Sequence, residues 1–283
     1  MTRYLIAGAG GMLGHDLRAA LAGREVVALG RDALDITDAA AVAEATREVD
    51  VVINAAAYTA VDAAEEHEDD AYAINATGAA NLARAAAAAG ARLVQVSTDY
   101  VFHGDAASPY PEDAPLDPLG AYGRTKAAGE RLVREAHPGA HIVRTAWLYG
   151  EHGASFPRTM LRLAAERDTV SVVTDQVGQP TWTGDLAASI VALLDAEAPA
   201  GVYHGTNAGT ASWFDLARAV FEVAGLDPAR VLPTDSAAFV RPAPRPSYSV
   251  LGHGAWGLAG LPEPRPWHDA LDAAWAAGAL GRP

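Results

Sequence analysis

Two residues of this chain, Tyr122 and Lys126, have the types and the spacing that acid–base chemistry requires. Residues four apart share one face of an α-helix, so a helix here would bring the lysine ammonium close to the tyrosine phenol. Such a cation stabilises phenolate and lowers the phenol pKa, which suits donation of a proton to a carbonyl oxygen. Lys126 is the only lysine, and every other member of the Lys and Arg class is an arginine. This pattern indicates a need for a compact ammonium here, with an exposed polar pair as the alternative interpretation.

Two hydroxyl residues, Ser97 and Thr98, end an apolar segment upstream of this pair. At the end of a strand, a hydroxyl can hydrogen-bond a substrate carbonyl beside the tyrosine, or it can cap a turn. The first interpretation fits a ketone that accepts a hydride at carbon and a proton at oxygen. We therefore predict that Thr98, Tyr122 and Lys126 are the catalytic residues.

A glycine-rich turn near the N-terminus joins a short apolar segment to a helix-like segment. Glycines in this position allow a tight turn and let the backbone approach a pyrophosphate at the positive end of the helix. The pattern predicts a dinucleotide site formed by Gly8, Gly11, Met12, Leu13 and Gly14. A second pattern of this kind, at 252–257, lies among prolines, and we interpret it as a loop.

The end of the second apolar segment carries Gly30 and Arg31, where NAD-selective proteins often place an acidic residue. A guanidinium suits a ribose 2′-phosphate, so Arg31 favours NADPH, with NADH retained as an alternative and a surface arginine as the simpler interpretation.

The composition of the 283-residue chain bounds its partners and its chemistry. A net charge of −14 disfavours nucleic acid and anionic membranes. The chain has no cysteine, which excludes disulfides and thiolate chemistry and is compatible with the expected cytoplasmic location. No segment resembles a membrane span, and no metal site is expected, because Pro138 and Gly139 interrupt the histidines at 137 and 141. The sequence does not fix an oligomeric state, and a homodimer is retained as one expectation.

Strand-like and helix-like segments alternate through the first half of the chain, which predicts an α/β fold with a doubly wound, Rossmann-like parallel sheet. We predict a dinucleotide-binding domain over 1–150 and a smaller, mainly substrate-binding lobe over 151–283, some of whose elements complete the sheet. Strands are expected at 4–7, 26–29, 51–54, 92–97, 141–146, 170–173 and 202–204. Helices are expected at 12–22, 38–48 with Thr37 as N-cap, 69–89, 122–136, 156–166, 185–196 and 214–224, and 240–246 should be irregular.

Several strings of the sequence resemble the dTDP-4-dehydrorhamnose reductase family of the extended short-chain dehydrogenase/reductase superfamily. They span nearly the whole chain, at 54–62, 97–102, 122–130, 144–149, 175–181 and 245–251. The resemblance implies that NADPH reduces the C4 ketone of a dTDP-4-dehydro-6-deoxysugar, giving dTDP-L-rhamnose from dTDP-4-dehydro-L-rhamnose. Position 244 carries a proline where the family often has a second basic residue.

The resemblance also implies roles for individual residues. Thr98, Tyr122 and Lys126 would be catalytic, and Asp35 and Ile36 would border the adenine. The remaining cofactor contacts would come from Ala55, Ala56 and Tyr58. The sugar nucleotide would be bound by Asp99, Tyr100, Trp147 and Arg245, of which Arg245 would approach the diphosphate.

Three other functions remain open from the sequence. One is a sugar-nucleotide dehydratase or 4-epimerase of the same superfamily. Dehydratases carry an acidic pair after the threonine, and Tyr100 following Asp99 argues against them, whereas an epimerase would be distinguished by cofactor retained through purification. A paralogous reductase of antibiotic deoxysugar synthesis would carry the same motifs. Relatives that serve as non-catalytic, NADP-binding regulatory subunits form the third alternative.

Overall fold

A computed structural model of the chain describes residues 2–281. Its strands are β1 (Arg3–Ala7), β2 (Glu25–Leu29), β3 (Val51–Asn54), β4 (Arg92–Thr98), β5 (His141–Thr145), β6 (Leu148–Tyr149), β7 (Val170–Val173), β8 (Val177–Gly178), β9 (Thr181–Trp182), β10 (Gly201–His204), β11 (Ala211–Ser212) and β12 (Val231–Thr234). The expected strands are all present, with ends that differ by one residue at most, and β12 and the two-residue strands were not expected.

The helices are α1 (Met12–Ala20), α2 (Ala39–Thr46), α3 (Val61–Ala64), α4 (Glu68–Tyr72), α5 (Ala79–Ala89), α6 (Ala121–Ala136), α7 (Phe156–Glu166), α8 (Thr183–Asp195), α9 (Trp213–Val223), α10 (Gly254–Leu258) and α11 (Trp267–Ala276). A π-helical segment, Ala73–Gly78, joins α4 to α5, and a 3₁₀ turn, Asp99–Val101, follows β4. The single helix expected over 69–89 is therefore interrupted, and it ends as expected at Gly90, which has a φ of 70°.

Six parallel strands form the main sheet in the order β10-β5-β4-β3-β1-β2. The strands β3, β4 and β5 are buried nearly throughout, as expected for a sheet covered on both faces. In the sheet, β2 lies on one side of β1, and β3 and the later strands lie on the other side. The topological switch point therefore lies between β1 and β3. The Rossmann-like prediction is confirmed.

Elements from the second half of the chain form a separate hydrophobic cluster. Its residues come mainly from α7, α9, α11, β7 and β12. In contrast, β10 joins the main sheet beside β5. The buried residues of α8 likewise belong to the hydrophobic cluster that contains residues of β1, β3 and α1. The division at residue 150 itself stays a prediction. No helix within residues 2–281 is long and apolar enough to cross a membrane.

Two local predictions are wrong. The N-cap of α2 is Asp38, whose carboxylate accepts from the backbone N–H groups of Ala40 and Ala41, whereas the Thr37 hydroxyl donates to Asp35. The segment expected to be a loop at 252–257 contains the short helix α10. That helix forms because Trp256 is buried and its indole N–H donates to the His204 carbonyl at 2.8 Å, a long-range contact that a local pattern does not reveal.

Candidate active site

A cleft of about 510 Å³ opens at the carboxyl ends of the central strands. This is the place where open α/β sheets bind ligands. Its walls come from the β1–α1 turn, the loop after β3, the end of β4, the start of α6 and the segment after β5. They include most of the predicted site residues: Gly11, Met12, Leu13, Gly14, Ala55, Ala56, Thr98, Asp99, Tyr100, Tyr122, Lys126 and Trp147.

The glycine-rich turn is shaped by contacts that a side chain would obstruct. Gly8 has a φ of 81°, and a Cβ there would lie 2.5 Å from the backbone nitrogen of Ala56. A Cβ on Gly14 would lie 2.5 Å from the Gly8 carbonyl oxygen, so the missing side chain lets α1 approach β1. Gly11 lines the cleft at the N-terminus of α1, where backbone N–H groups favour an anion. The glycines therefore let the turn pack closely against the loop after β3 and the start of α1.

The loop after β2 holds the residues predicted for the adenosine end of the cofactor. Arg31 is exposed just beyond the strand, near Asp35, whose pKa it helps to lower. The main cause of that lowered pKa is hydrogen bonding from Thr37, whose backbone N–H and hydroxyl both donate to the Asp35 carboxylate. The Ile36 side chain is buried against Gly78, so it belongs to the core more than to an open surface.

Tyr122 and Lys126 lie on α6, as predicted, and both line the cleft. Lys126 is 4% exposed, and its ammonium donates to the main-chain carbonyl oxygen of Val96 at 2.7 Å. Burial lowers the pKa of Lys126 to about 8, and the Glu130 carboxylate opposes that change.

The pKa of Tyr122 moves in the direction opposite to the one expected. Burial raises it to about 12, a hydrogen bond with Thr98 acts against that rise, and the Asp99 carboxylate reinforces it. The expected lowering by the ammonium is not found, because Lys126 donates to the end of β4 and is not among the groups that act on the phenol.

The two hydroxyls at the end of β4 have different partners. Ser97 donates at 2.5 Å to Glu130, which is also held by a buried, two-point ion pair with Arg144. The Ser97 hydroxyl is therefore directed to this buried ion pair, although the residue also lines the cleft. No spacing pattern in the sequence predicted this partner. Thr98 lines the cleft and donates to the Asp99 carboxylate at 3.0 Å, while its oxygen accepts from the Tyr100 backbone N–H at 3.2 Å. Thr98 thus caps the 3₁₀ turn and also faces Tyr122.

A buried asparagine on the π-helical segment, missed by sequence reasoning, connects the loop after β3 to α6. The side chain of Asn75 accepts from the Tyr58 backbone N–H at 2.8 Å and donates to both the Tyr58 carbonyl and the Thr125 hydroxyl at 3.1 Å. Tyr58 and Tyr122 both pack against a small cluster formed by Ala64, Ala71 and Ala121. Asn75 thereby fixes the distance between Tyr58 and the helix that carries the tyrosine–lysine pair.

Aromatic side chains form part of the cleft wall. Trp147 follows β5 with a φ of 46°, which is uncommon outside glycine, and stacks on Trp213 at 3.6 Å between ring centroids. Its ring packs where Gly178 leaves room, since a Cβ there would lie 2.6 Å from the indole. Tyr100 contacts Tyr122 edge-on at 5.6 Å between centroids. Flat aromatic surfaces of this kind suit a sugar ring.

Arg245, predicted to approach a diphosphate, is paired with an acidic residue. Its guanidinium donates to Asp62 at 2.8 Å and to the Ala243 carbonyl at 3.2 Å. Asp62 also lies 3.9 Å from the more exposed Arg241. The irregular stretch predicted over 240–246 is confirmed, and it runs beside α3 through these contacts. Among residues 2–281, no group of three His, Asp or Glu side chains is placed to hold a metal ion.

The fold and the site together define a dinucleotide-binding α/β protein with a tyrosine–lysine pair of the short-chain dehydrogenase type. The chain belongs to the family described as RmlD substrate binding domain, whose model matches residues 2–279.

Three similar proteins illustrate this membership. The chain is 52% identical over 292 residues to the dTDP-4-dehydrorhamnose reductase of Streptomyces griseus, covering 99% of this chain and 96% of that one. It is 52% identical over 279 residues to a protein of Streptomyces antibioticus named probable dTDP-4,6-dihydroxy-2-methyloxan-3-one 4-ketoreductase, covering 95% and 93%. The crystal structure of dTDP-4-dehydrorhamnose reductase from Bacillus anthracis in complex with NADP aligns with a TM-score of 0.94 at 40% identity, covering 98% and 100%.

Proposed function

We propose that this protein uses NADPH to reduce the C4 ketone of a dTDP-4-dehydro-6-deoxysugar, converting dTDP-4-dehydro-L-rhamnose to dTDP-L-rhamnose. The observation that carries the proposal is the placement of Thr98, Tyr122 and Lys126 in one cleft with the glycine-rich turn. Similarity at 52% identity to a reductase of this name supports the choice of substrate. The turn fits NADPH because Gly11 lines the cleft at the N-terminus of α1, where backbone N–H groups favour a pyrophosphate.

Each residue of the centre has a distinct part in this reaction. Bound NADPH supplies the hydride that the carbonyl carbon accepts. The carbonyl oxygen then takes a proton from the Tyr122 hydroxyl, and Thr98 hydrogen-bonds that hydroxyl. Lys126 holds the cofactor ribose, and solvent returns the proton to Tyr122. Trp147 and Tyr100 hold the sugar, and Arg245 approaches the diphosphate.

A paralogous reductase is the second candidate, because the chain is equally similar to the probable 4-ketoreductase of Streptomyces antibioticus. Both candidates use the same centre and differ in the sugar that it accepts. A non-catalytic, NADP-binding role would leave Tyr122 without a function. A cytoplasmic location is part of the proposal, and a homodimer stays a prediction.

Oxidation of NADPH against a panel of dTDP-4-keto-6-deoxysugars tests the proposal. The wild type should turn over at least one of them, with the highest kcat/KM for dTDP-4-dehydro-L-rhamnose. Tyr122→Phe should lower kcat roughly 10²–10⁴-fold while NADPH binding, followed by fluorescence, persists. NADPH binding without turnover of any sugar would support the non-catalytic role instead.

A further inference from the structure

Asp99 is buried between the proposed catalytic threonine and the C-terminal part of the chain. Its side chain is 1% exposed, although the residue borders the cleft. One carboxylate oxygen accepts from the Thr98 hydroxyl at 3.0 Å, and the other accepts from the Ser249 hydroxyl at 2.6 Å. Both oxygens are therefore engaged by protein donors, which leaves little of the group for a sugar hydroxyl.

The hydroxyl of Thr98 has a single hydrogen, and that hydrogen is directed to Asp99. The threonine oxygen can then act only as an acceptor, and it accepts from the Tyr100 backbone N–H. Tyr122, which lines the same cleft, has a phenolic hydrogen of its own. The carboxylate thus determines which way the threonine hydroxyl points and leaves Tyr122 as the hydroxyl that donates.

Ser249 is held firmly on a backbone that two other segments anchor. Its N–H donates to the Val177 carbonyl at 2.9 Å, and the next residue but one is fixed by Gln179 through two hydrogen bonds. On the other side, the Tyr248 N–H donates to the Gly104 carbonyl at 2.8 Å. Ser249 is itself 2% exposed, so its hydroxyl has a fixed position from which to hold Asp99.

We propose that Asp99 is a positioning residue that acts through Thr98, and that Ser249 holds Asp99 in place for this role. The proposal rests on the proposed reductase function and adds Asp99 and Ser249 to the residues that support it. These two residues are 150 positions apart in sequence. It assigns Asp99 a different part from the sugar contact that the family resemblance implied. The C-terminal segment thereby becomes a support of the proton-donating centre.

A double-mutant cycle between Asp99→Asn and Thr98→Val tests this inference. Asn keeps the size of the side chain but replaces one acceptor oxygen with a donor, so one of the two hydroxyls must reverse its hydrogen bond. We expect Asp99→Asn to lower kcat about 10–100-fold with the sugar-nucleotide KM changed less than about threefold. In the Thr98→Val background, Asp99→Asn should lower kcat by less than about a further threefold, because the hydroxyl that Asp99 positions is already absent.

Two outcomes would overturn the inference. A KM that rises more than kcat falls would make Asp99 a sugar ligand, and losses that multiply in the double variant would make it act independently of Thr98. Absence of turnover in the wild type with every sugar is a separate result, and it would overturn the proposed function and this role together.

Variants of Ser249 provide a second test, which remains informative if Asp99→Asn fails to fold. We expect Ser249→Ala to lower kcat about 3–30-fold, with Ser249→Thr restoring most of the activity. The matched control is Ser247→Ala, which removes a hydroxyl that donates to Gly104 on the same segment but does not contact Asp99. Equal losses in both alanine variants would show a general effect on the segment and would contradict a specific role for Ser249.

Discussion

The ammonium of Lys126 donates to the Val96 carbonyl oxygen at 2.7 Å, so the helix that carries the proposed proton donor is tied directly to β4. The same carbonyl accepts from the Gln95 side chain at 2.8 Å. Burial of the lysine in this position has consequences for both the pH dependence of catalysis and the stability of the fold.

Activity should fall in alkaline solution as Lys126 loses its proton. Burial lowers the pKa of Lys126 to about 8, whereas Tyr122 has a pKa of about 12 and remains protonated. Because the charged lysine is the active form, kcat/KM for NADPH should decline as the pH rises through about 8. Lys126→Arg should give a lower plateau without this decline, since a guanidinium stays charged. If kcat/KM of the arginine variant declined over the same alkaline range, the decline would have to come from a group other than Lys126.

The burial of Lys126 should also make stability depend on pH. Its folded pKa of about 8 lies below the ordinary lysine value of 10.5, so between these two values the unfolded chain binds more protons. The free energy of unfolding should therefore rise with pH across this window, by on the order of 1–3 kcal/mol. Lys126→Met should abolish that rise and be more stable than the wild type near pH 7, because Val96 keeps its bond from Gln95. Urea unfolding of both proteins at pH 7 and 10 measures this difference, and parallel pH profiles would contradict it.

The glycine-rich turn provides a test of packing with an internal control. Gly14→Ala places a methyl group 2.6 Å from the Cα of Ala9, and we expect a loss of about 1–3 kcal/mol of stability together with weaker NADPH binding. Gly10→Ala meets no atom within 4 Å and should change stability by about 0.5 kcal/mol or less. Thermal unfolding with and without NADPH compares the two variants. Equal destabilisation of both would show that close packing is not the reason for glycine at 14.

Arg245 should bind the sugar nucleotide in spite of its pairing with Asp62. Its guanidinium has further N–H groups beyond the two that donate to Asp62 and Ala243. We expect Arg245→Ala to raise the sugar-nucleotide KM about 10–100-fold, the effect of one charge-assisted contact, with kcat little changed. Arg241→Ala, which removes the more exposed neighbour, should change KM less than about threefold. An unchanged KM in the first variant would leave Arg245 with only the structural pairing to Asp62.

The cofactor preference should depend on Arg31. This exposed arginine lies just beyond β2, at a place where NAD-selective proteins often have an acidic residue. We expect the wild type to prefer NADPH over NADH and Arg31→Ala to narrow the preference through a higher KM for NADPH alone. Arg162→Ala, which removes an exposed charge paired with Glu166 on α7, serves as the control. Preference for NADH in the wild type would contradict the assignment.

Local spacing was enough to predict the parts of the site that belong to one element. The glycine turn follows from the type of residue that a strand-to-helix connection around a pyrophosphate permits. Tyr122 and Lys126 share a helix face because the helical period is a property of the local chain. The alternation of strands and helices likewise predicted a parallel sheet, since connections between parallel strands need a crossover.

Contacts between distant parts of the chain were decided only by the tertiary structure. Asp62 and Arg245 are 183 residues apart, and Asp99 and Ser249 are 150 apart, so no spacing rule links them. The direction of the Tyr122 pKa also depended on burial, which follows from packing around the residue and not from its neighbours in sequence. Sequence thus determined which chemical groups this protein has and on which elements they lie. Packing determined which hydrogen-bond partner each group has, because a buried polar atom must pair with whatever the fold brings to it.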